Sequence, residues 1–397
     1  MSLPVMIWFI LQKTNESLQV CLDGFFDAHD RKAPTKSAFT QARANLDPMV
    51  FKRLNRVVTS LFYKNGNFKT WNGFRVLAVD GASLQLPGDH WSLGKKFSRH
   101  FWGPKADAPH WMSRVSYLYD VFNGMVLDAQ MGSFRDAERT LCKRHVPWIK
   151  AGDLLLFDRG YASYELMALL ESMGAHFILR VSDSWTPWIR EFLDSGKDQQ
   201  VVEMPLPARP RTLLEQFPHL GPSPQKVRLI KRTGHKGELQ VFCTSLNDTE
   251  LYGRSAVMDL YGKRWEIEEA YKLIKARLEV ADFSGMTSWA IEQDFYAKTM
   301  LISLCNCLCK DLEPKALTRC RADRKKTERV RIINRTYGLS RLKSLIRKTA
   351  YHLGNIRKWL LQFQERLASS PEYSRRNQSY PRLIKKKVKY PMAYKAV

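Results

Sequence analysis

The sequence predicts an α/β protein built on a mixed sheet with helices outside it. Three observations lead there. Short apolar runs of strand length recur at Phe74–Asp80, Asp153–Asp158 and His176–Val181. Asn123-Gly124 sits between two further strand-like runs, Val115–Phe122 and Met125–Met131, and is a strong short-range hairpin signal. Helical patterns at Ala137–Lys150 and Ala162–Met173 separate the later strands and stop at Gly152 and Gly174.

Taken in order, these elements read strand, hairpin pair, helix, strand, helix, strand. The core of ribonuclease H-like nucleases has that order, a likeness of fold that does not by itself give a function. Residues 1–65 read as helical, with Pro48 dividing two helices, and are a candidate for DNA contact. The first part of the core then covers residues 66–181. Residues 182–257 break the rhythm with Pro205, Pro207, Pro210, Pro218, Pro222 and Pro224, and read as a β-rich insertion. Its strands are Lys226–Arg232 and Glu238–Leu246. Residues 258–300 complete the core around a long helix expected from about Ser255 to Leu278. Residues 301–397 form a basic helical region and tail, dense in Lys and Arg at Arg319–Arg335 and Arg375–Lys389.

Composition narrows the function classes. At 397 residues the chain exceeds one ordinary core, and 44% hydrophobic content argues against a largely disordered one. The net charge of +25 favours a polyanionic partner, because each Lys or Arg placed on a phosphate releases counterions. Charge alone does not separate an enzyme from a binding protein. Cys305, Cys307 and Cys309 lack zinc-site spacing and read as small helix residues in a reducing cytosol. The apolar run Leu3–Leu11 is too short to span a membrane and lacks the basic start of a secretion signal.

Two aspartates share one setting. Asp80 and Asp158 each close an apolar strand and are followed at once by Gly81 or by Arg159-Gly160. Sites form at the carboxyl ends of strands in open α/β sheets, and two carboxylates there repel unless a divalent cation joins them. Turn-forming aspartates would look the same. On the helix expected over residues 255–278, Tyr261, Arg264, Glu268 and Lys275 fall within an arc of about 60°, beside the apolar stripe of Ile267, Tyr271, Ile274 and Leu278. A salt-bridged helix surface would account for Arg264 and Glu268, but for neither Tyr261 nor Lys275.

With these residues in hand, the chain resembles bacterial insertion-sequence transposases of the IS4 type, which belong to the DDE class. Their signature on the last catalytic helix is Tyr, two residues, Arg, three residues, Glu, six residues, Lys. Tyr261, Arg264, Glu268 and Lys275 match it at every position. Val79-Asp80-Gly81 and Phe157-Asp158-Arg159-Gly160-Tyr161 look like the family's first and second acidic motifs. The resemblance runs from about Lys36 to Lys389. It departs at the start, where members often carry a longer DNA-binding region, and so leaves recognition of element ends open.

The resemblance implies a metal-dependent enzyme of cut-and-paste transposition, acting on double-stranded DNA as a homodimer in the cytoplasm and not on a membrane. Asp80, Asp158 and Glu268 would be catalytic and hold two Mg²⁺ or Mn²⁺ ions about 4 Å apart. Water would nick the element's end, the freed 3′-hydroxyl would form a hairpin, and after opening it would attack target DNA. Tyr261, Arg264 and Lys275 would hold phosphates. Trp185 or Trp188 is a candidate platform for a base leaving the stack. Two alternatives are a nuclease of the same fold without strand transfer, and a DNA-binding remnant without chemistry.

Overall fold

A computed structural model describes residues 1–12, 16–64, 66–101, 108–204, 225–234, 237–268, 283–312, 331–351 and 353–373. Lys275, most of Arg319–Arg335 and the Arg375–Lys389 tail lie outside the described residues. Two compact units divide the chain, one of residues 1–66, 83–113 and 272–397, the other of residues 67–82 and 114–271.

The second unit carries most of the sheet expected from the sequence. The strands are β1 (Arg75–Gln85), β2 (Ser98–His100), β3 (His110–Asp120), β4 (Val126–Ser133), β5 (Asp153–Phe157), β6 (His176–Val181), β7 (Gln199–Met204), β8 (Gln225–Thr233) and β9 (Leu239–Thr244); β2, the end of β1 and the start of β3 belong to the first unit's residues. The nine strands run β2-β3-β1-β5-β6-β9-β8-β7, with β4 also on β3. The segment β4-β3-β1-β5-β6 is the ribonuclease H-like core. β1, β5 and β6 are parallel, and β9 returns antiparallel to β6, so the strands around Gly234 extend the core sheet.

The parallel strands are apolar because both faces are covered. Leu154, Leu155, Leu156 and Phe157 of β5 and Val76, Leu77, Ala78 and Val79 of β1 are all buried. Register is fixed at the foot of this pair. Arg75 grips the Asp153 carboxylate with a two-pronged fork, Nε to Oδ1 at 2.9 Å and Nη2 to Oδ2 at 2.6 Å. The pairing then climbs from Arg75↔Asp153 to Ala78↔Leu156.

Several expectations need correction. Asp80 does not end its strand; β1 continues to Gln85. The helix expected over Ala137–Lys150 is only α5 (Glu138–Lys143; the four before it, given below, lie in the first unit), followed by a 3-10 turn at Val146–Trp148. Pro147 explains the break, since it has no amide hydrogen to donate. The later helix α6 (Tyr164–Ser172) forms as expected, capped by Ser163. The β-rich insertion gains a further strand, β7, and an unexpected helix, α7 (Pro187–Asp194), while its prolines from Pro205 to Pro224 lie outside the described residues. The long helix over residues 255–278 is interrupted: α8 (Arg254–Gly262) ends, residues 263–264 form a turn, and helix resumes at 265–268.

A sealed polar network fixes the end of α5. His145 Nδ1 lies 2.7 Å from Asp128 Oδ2 on β4, and its Nε2 lies 3.0 Å from Ser116 Oγ on β3. Ser116 and His145 are fully buried and Asp128 nearly so. The trio has the residue types of a hydrolytic triad, but no solvent reaches it, so it serves as a clamp. Asp128→Ala leaves the imidazole Nδ1 without its partner in the core and is expected to cost about 1–3 kcal/mol, read as a lower urea midpoint. An unchanged midpoint would show that the clamp holds nothing.

The first unit is helical: α1 (Leu3–Gln12), α2 (Leu18–Asp27), α3 (Lys36–Arg43), α4 (Met49–Lys64), α9 (Ser288–Cys309), α10 (Arg335–Thr349) and α11 (Ile356–Ser369). α9 is buried over most of its length and packs on α1, α4 and α10. Arg43 ties α3 to its start, donating to Gln293 Oε1, Ser284 Oγ, the Ala290 carbonyl and Asp294 Oδ1. Cys305, Cys307 and Cys309 lie on α9 as expected, and the six described cysteines form no disulfide. Among the described residues no helix is long and apolar enough to cross a membrane.

Candidate active site

Asp80 and Asp158 come together because of register. Continuing the β1–β5 pairing two residues past Ala78↔Leu156 brings Asp80 level with Asp158. Neighbouring strands lie about 4.8 Å apart. β5 stops at Phe157, which frees Asp158 to cap the turn Arg159–Tyr161, its carboxylate accepting the Gly160 amide at 2.9 Å. The Asp80 carboxylate accepts the Gly81 amide at 2.8 Å. Both aspartates therefore also shape the backbone, as turn-forming residues would.

Electrostatics link them to the third acid. Burial lifts the Asp80 carboxyl from its usual 3.8 to about 6; the Gly81 amide and Arg264 pull it down, while Asp158 and Glu268 push it further up. Glu268 reaches this neighbourhood from residues 265–268, whose position follows from the turn at 263–264. There the Arg264 amide bonds the Tyr261 carbonyl at 3.0 Å and the Ile267 amide bonds the Arg264 carbonyl at 3.1 Å. Ile267 is buried and anchors the segment, while Trp265 is 58% exposed. Glu266 is half-buried.

Arg264 is buried and donates from Nη2 to Glu268 Oε1 at 3.1 Å. The Arg264–Glu268 pair is thus real, but it is not a solvated surface pair. Burial works against the guanidinium's charge, yet Tyr261, Glu268 and Asp80 together hold its pKa above the usual value. Tyr261 is buried, its ring edge-on to Phe242 at 4.7 Å, and its phenol is shifted upward by burial and hydrogen-bonded with Arg264. The interruption of the helix means that one continuous helical face does not place these residues. The turn at 263–264 does, and it brings Tyr261, Arg264 and Glu268 together all the same.

Among the described residues, no three His, Cys, Asp or Glu side chains are grouped closely enough to hold a metal ion. Glu268 is engaged by Arg264 here. The donor chemistry is nevertheless that of a hard cation: three carboxylates, one of them lifted chiefly by burial.

Three neighbours escaped the sequence reading. Glu138, the first residue of α5, lies against Gly81; a Cβ built on Gly81 would stand 3.1 Å from its Cδ and Cγ, so glycine makes room for that carboxyl. Tyr161 is fully buried, its hydroxyl has no hydrogen-bond partner, and burial, then Cys142, Asp80, Glu138 and Asp158, push its pKa well up. Arg180, opposite Phe242 on β6, acts on Tyr261. Only Arg180 left a signal, a cation near the carboxyl end of the strand beside β5. Trp185 and Trp188 are half-buried after β6, edge-on at 5.8 Å.

Fold and site define an α/β protein with an acidic centre, backed by a buried arginine, on a ribonuclease H-like sheet. The chain belongs to the Transposase DDE domain family, whose sequence profile it matches over residues 71–304. It is similar to the transposase InsG for insertion sequence element IS4 of Escherichia coli strain K12, 24% identical over 70% of this chain and 62% of that one. It is also 21% identical to the transposase for insertion sequence element IS231B of Bacillus thuringiensis subsp. berliner, over 49% of each chain. The chain thus spans 62% and 49% of the length of these two relatives. These relatives agree with the IS4 type that Tyr261, Arg264, Glu268 and Lys275 implied. Among solved structures, a piggyBac transposase synaptic complex with hairpin DNA, studied by cryo-EM, covers 92% of this chain at 10% identity and a TM-score of 0.44; 74% of that chain is covered. At that score the likeness is too faint to bear on mechanism.

Proposed function

We propose that the chain is a DNA transposase that cuts the ends of an insertion sequence and joins them to target DNA, with Asp80, Asp158 and Glu268 as its catalytic carboxylates. The observation that carries this reading is the register of β1 on β5, which brings Asp80 level with Asp158, with the Arg264–Glu268 pair acting on the Asp80 carboxyl. Like charges gathered on neighbouring central strands cost free energy, and a site that binds cations and phosphates turns that cost to use.

Divalent Mg²⁺ or Mn²⁺ bound by these three residues would supply the charge that activates an attacking oxygen and stabilises a leaving one. The protein's part is positioning and electrostatics. Glu268 would exchange its bond to Arg264 for that role, and the released guanidinium would fork two oxygens of a DNA phosphate. Tyr261 steadies Arg264 in that pose, and Lys275 is proposed to add a point charge. Attack by water breaks the 3′ O–P bond at the element's end and leaves a 3′-hydroxyl. That hydroxyl then attacks a second phosphorus, giving a hairpin on the opposite strand, and after opening it attacks target DNA. A homodimer bound to two ends is the proposed working form.

The test incubates the full chain with end-containing duplex and Mg²⁺ and separates nicked, hairpin and joined products. All three are expected from the wild type and none from Asp158→Ala. Cutting without joining would assign a nuclease, and binding alone a remnant without chemistry. Arg264→Lys keeps the charge but loses the planar fork. It is expected to reduce hairpin and joined products while leaving DNA binding near wild type; wild-type product ratios would remove Arg264 from the site.

A further inference from the structure

The C-terminal helices carry a charged surface that the acidic site does not use. α10 and α11 pack on each other, with Leu345 and Phe363 buried and Trp359 half-buried at their edge. Across this apolar floor stand Arg341 and Lys348 of α10 and Arg366 of α11. Beside it a hollow of about 480 Å³ opens at the start of α11, lined by Arg357 and Lys358. The two helices hold eight Lys or Arg and a single carboxylate, Glu365. Among the described residues Lys348, Arg357, Lys358 and Arg366 make no ion pair, and all four are exposed. Arg341 lies over the Tyr337 ring at 5.0 Å.

We propose that this α10–α11 surface binds the phosphate backbone of duplex DNA, as a second contact independent of the acidic site. The proposal rests on the transposase reading. Unpaired like charges along one helix pair repel each other, and a polyanion removes that repulsion while releasing its own counterions. Arg341 and Lys348 lie two turns apart, about 10.5 Å along α10, so the cations are spread out rather than gathered around one anion. A regularly charged backbone meets such a spread without needing a pocket for any side chain. The contact fixes position on the duplex and reads no sequence.

The experiment measures binding of the full chain to a fluorescent duplex of arbitrary sequence, in EDTA, at several salt concentrations. The variant replaces Lys348, Arg357, Lys358 and Arg366 together by Ala; a companion carries Lys348→Arg, Lys358→Arg and nothing else. The four-alanine variant is expected to bind at least tenfold more weakly, with a salt slope lower by about 3–4, near 0.9 for each lost phosphate contact. The charge-preserving companion is expected to bind like the wild type. An unchanged slope in the four-alanine variant, with circular dichroism showing it folded, overturns the surface while the transposase reading stands. Preferential binding of polyglutamate over duplex by the wild type would overturn it in favour of an acidic protein partner. A wild type that binds no duplex at all would overturn both.

Discussion

Asp80→Asn is expected to abolish cleavage of end-containing DNA and, in the same protein, to raise stability at pH 7. The two effects have one cause. The Asp80 carboxyl is half-buried beside Asp158 and Glu268, which lifts it from 3.8 to about 6, so at neutral pH the folded state carries a charge that its surroundings disfavour. The sign follows from the direction of the shift. Below about 3.8 the group is protonated in both folded and unfolded chains and makes no difference. Between 3.8 and about 6 the folded chain keeps a proton that the unfolded one has released, so stability falls as pH rises through that window. Above it the full cost remains, of order 1–3 kcal/mol. Asparagine keeps the shape and removes the charge. Urea denaturation in EDTA should therefore show Asp80→Asn more stable than the wild type at pH 7.5, with the gain gone near pH 4. A variant less stable than the wild type at both pH values would mean that Asp80 serves the backbone turn at Gly81 and not a strained acidic site.

Arg43→Ala is expected to give the largest loss of stability, about 3–5 kcal/mol. Arg43 and Asp294 have side chains 5% and 6% exposed, and their contact is 2.7 Å. Removing the guanidinium leaves the Asp294 carboxylate buried without its counter-charge, and strips a donor from Gln293, Ser284 and the Ala290 carbonyl. The double change Arg43→Met with Asp294→Leu removes both charges and should recover a good part of the loss, since a buried pair is weak evidence of net stabilisation. Equal destabilisation by the single and double variants, measured by urea unfolding, would assign the anchor to the neutral hydrogen bonds alone.

Much of this architecture is legible in the residues. β5 is apolar after Asp153 and β6 is apolar between His176 and Arg180; bounded by Gly152, Gly174 and polar turns, they appear as read. β1 is only half legible. Asp80 and Gly81 look like a stop, but the strand continues because β3, its neighbour on the other side, is equally long. α5 reads too long because helical periodicity masks Pro147, whose consequence could have been drawn. The break after Gly262 also had a signal, the glycine itself, overridden by the apolar spacing that continues beyond it. Glu138 beside Gly81 could not be read, for nothing local joins the first turn of α5 to the middle of β1. The acidic motifs were legible as types and spacings. What they lacked was the burial that turns Asp80 from a turn aspartate into a group lifted to about 6.

The fork between Arg75 and Asp153 acts as a gauge for the chemistry five residues away. A strand presents alternate side chains to opposite faces, so a slip of one position between β1 and β5 would send Asp80 to the face opposite Asp158. A slip of two would restore the face but separate the carboxylates by about 6.6 Å along the sheet. An apolar pair of strands such as Val76–Val79 and Leu154–Phe157 resists slippage weakly, because one branched side chain fits much like the next. The charged prongs at the foot discriminate between registers. Alignment of the acidic residues is thus set at the opposite end of the strands, where no nucleic acid needs to reach.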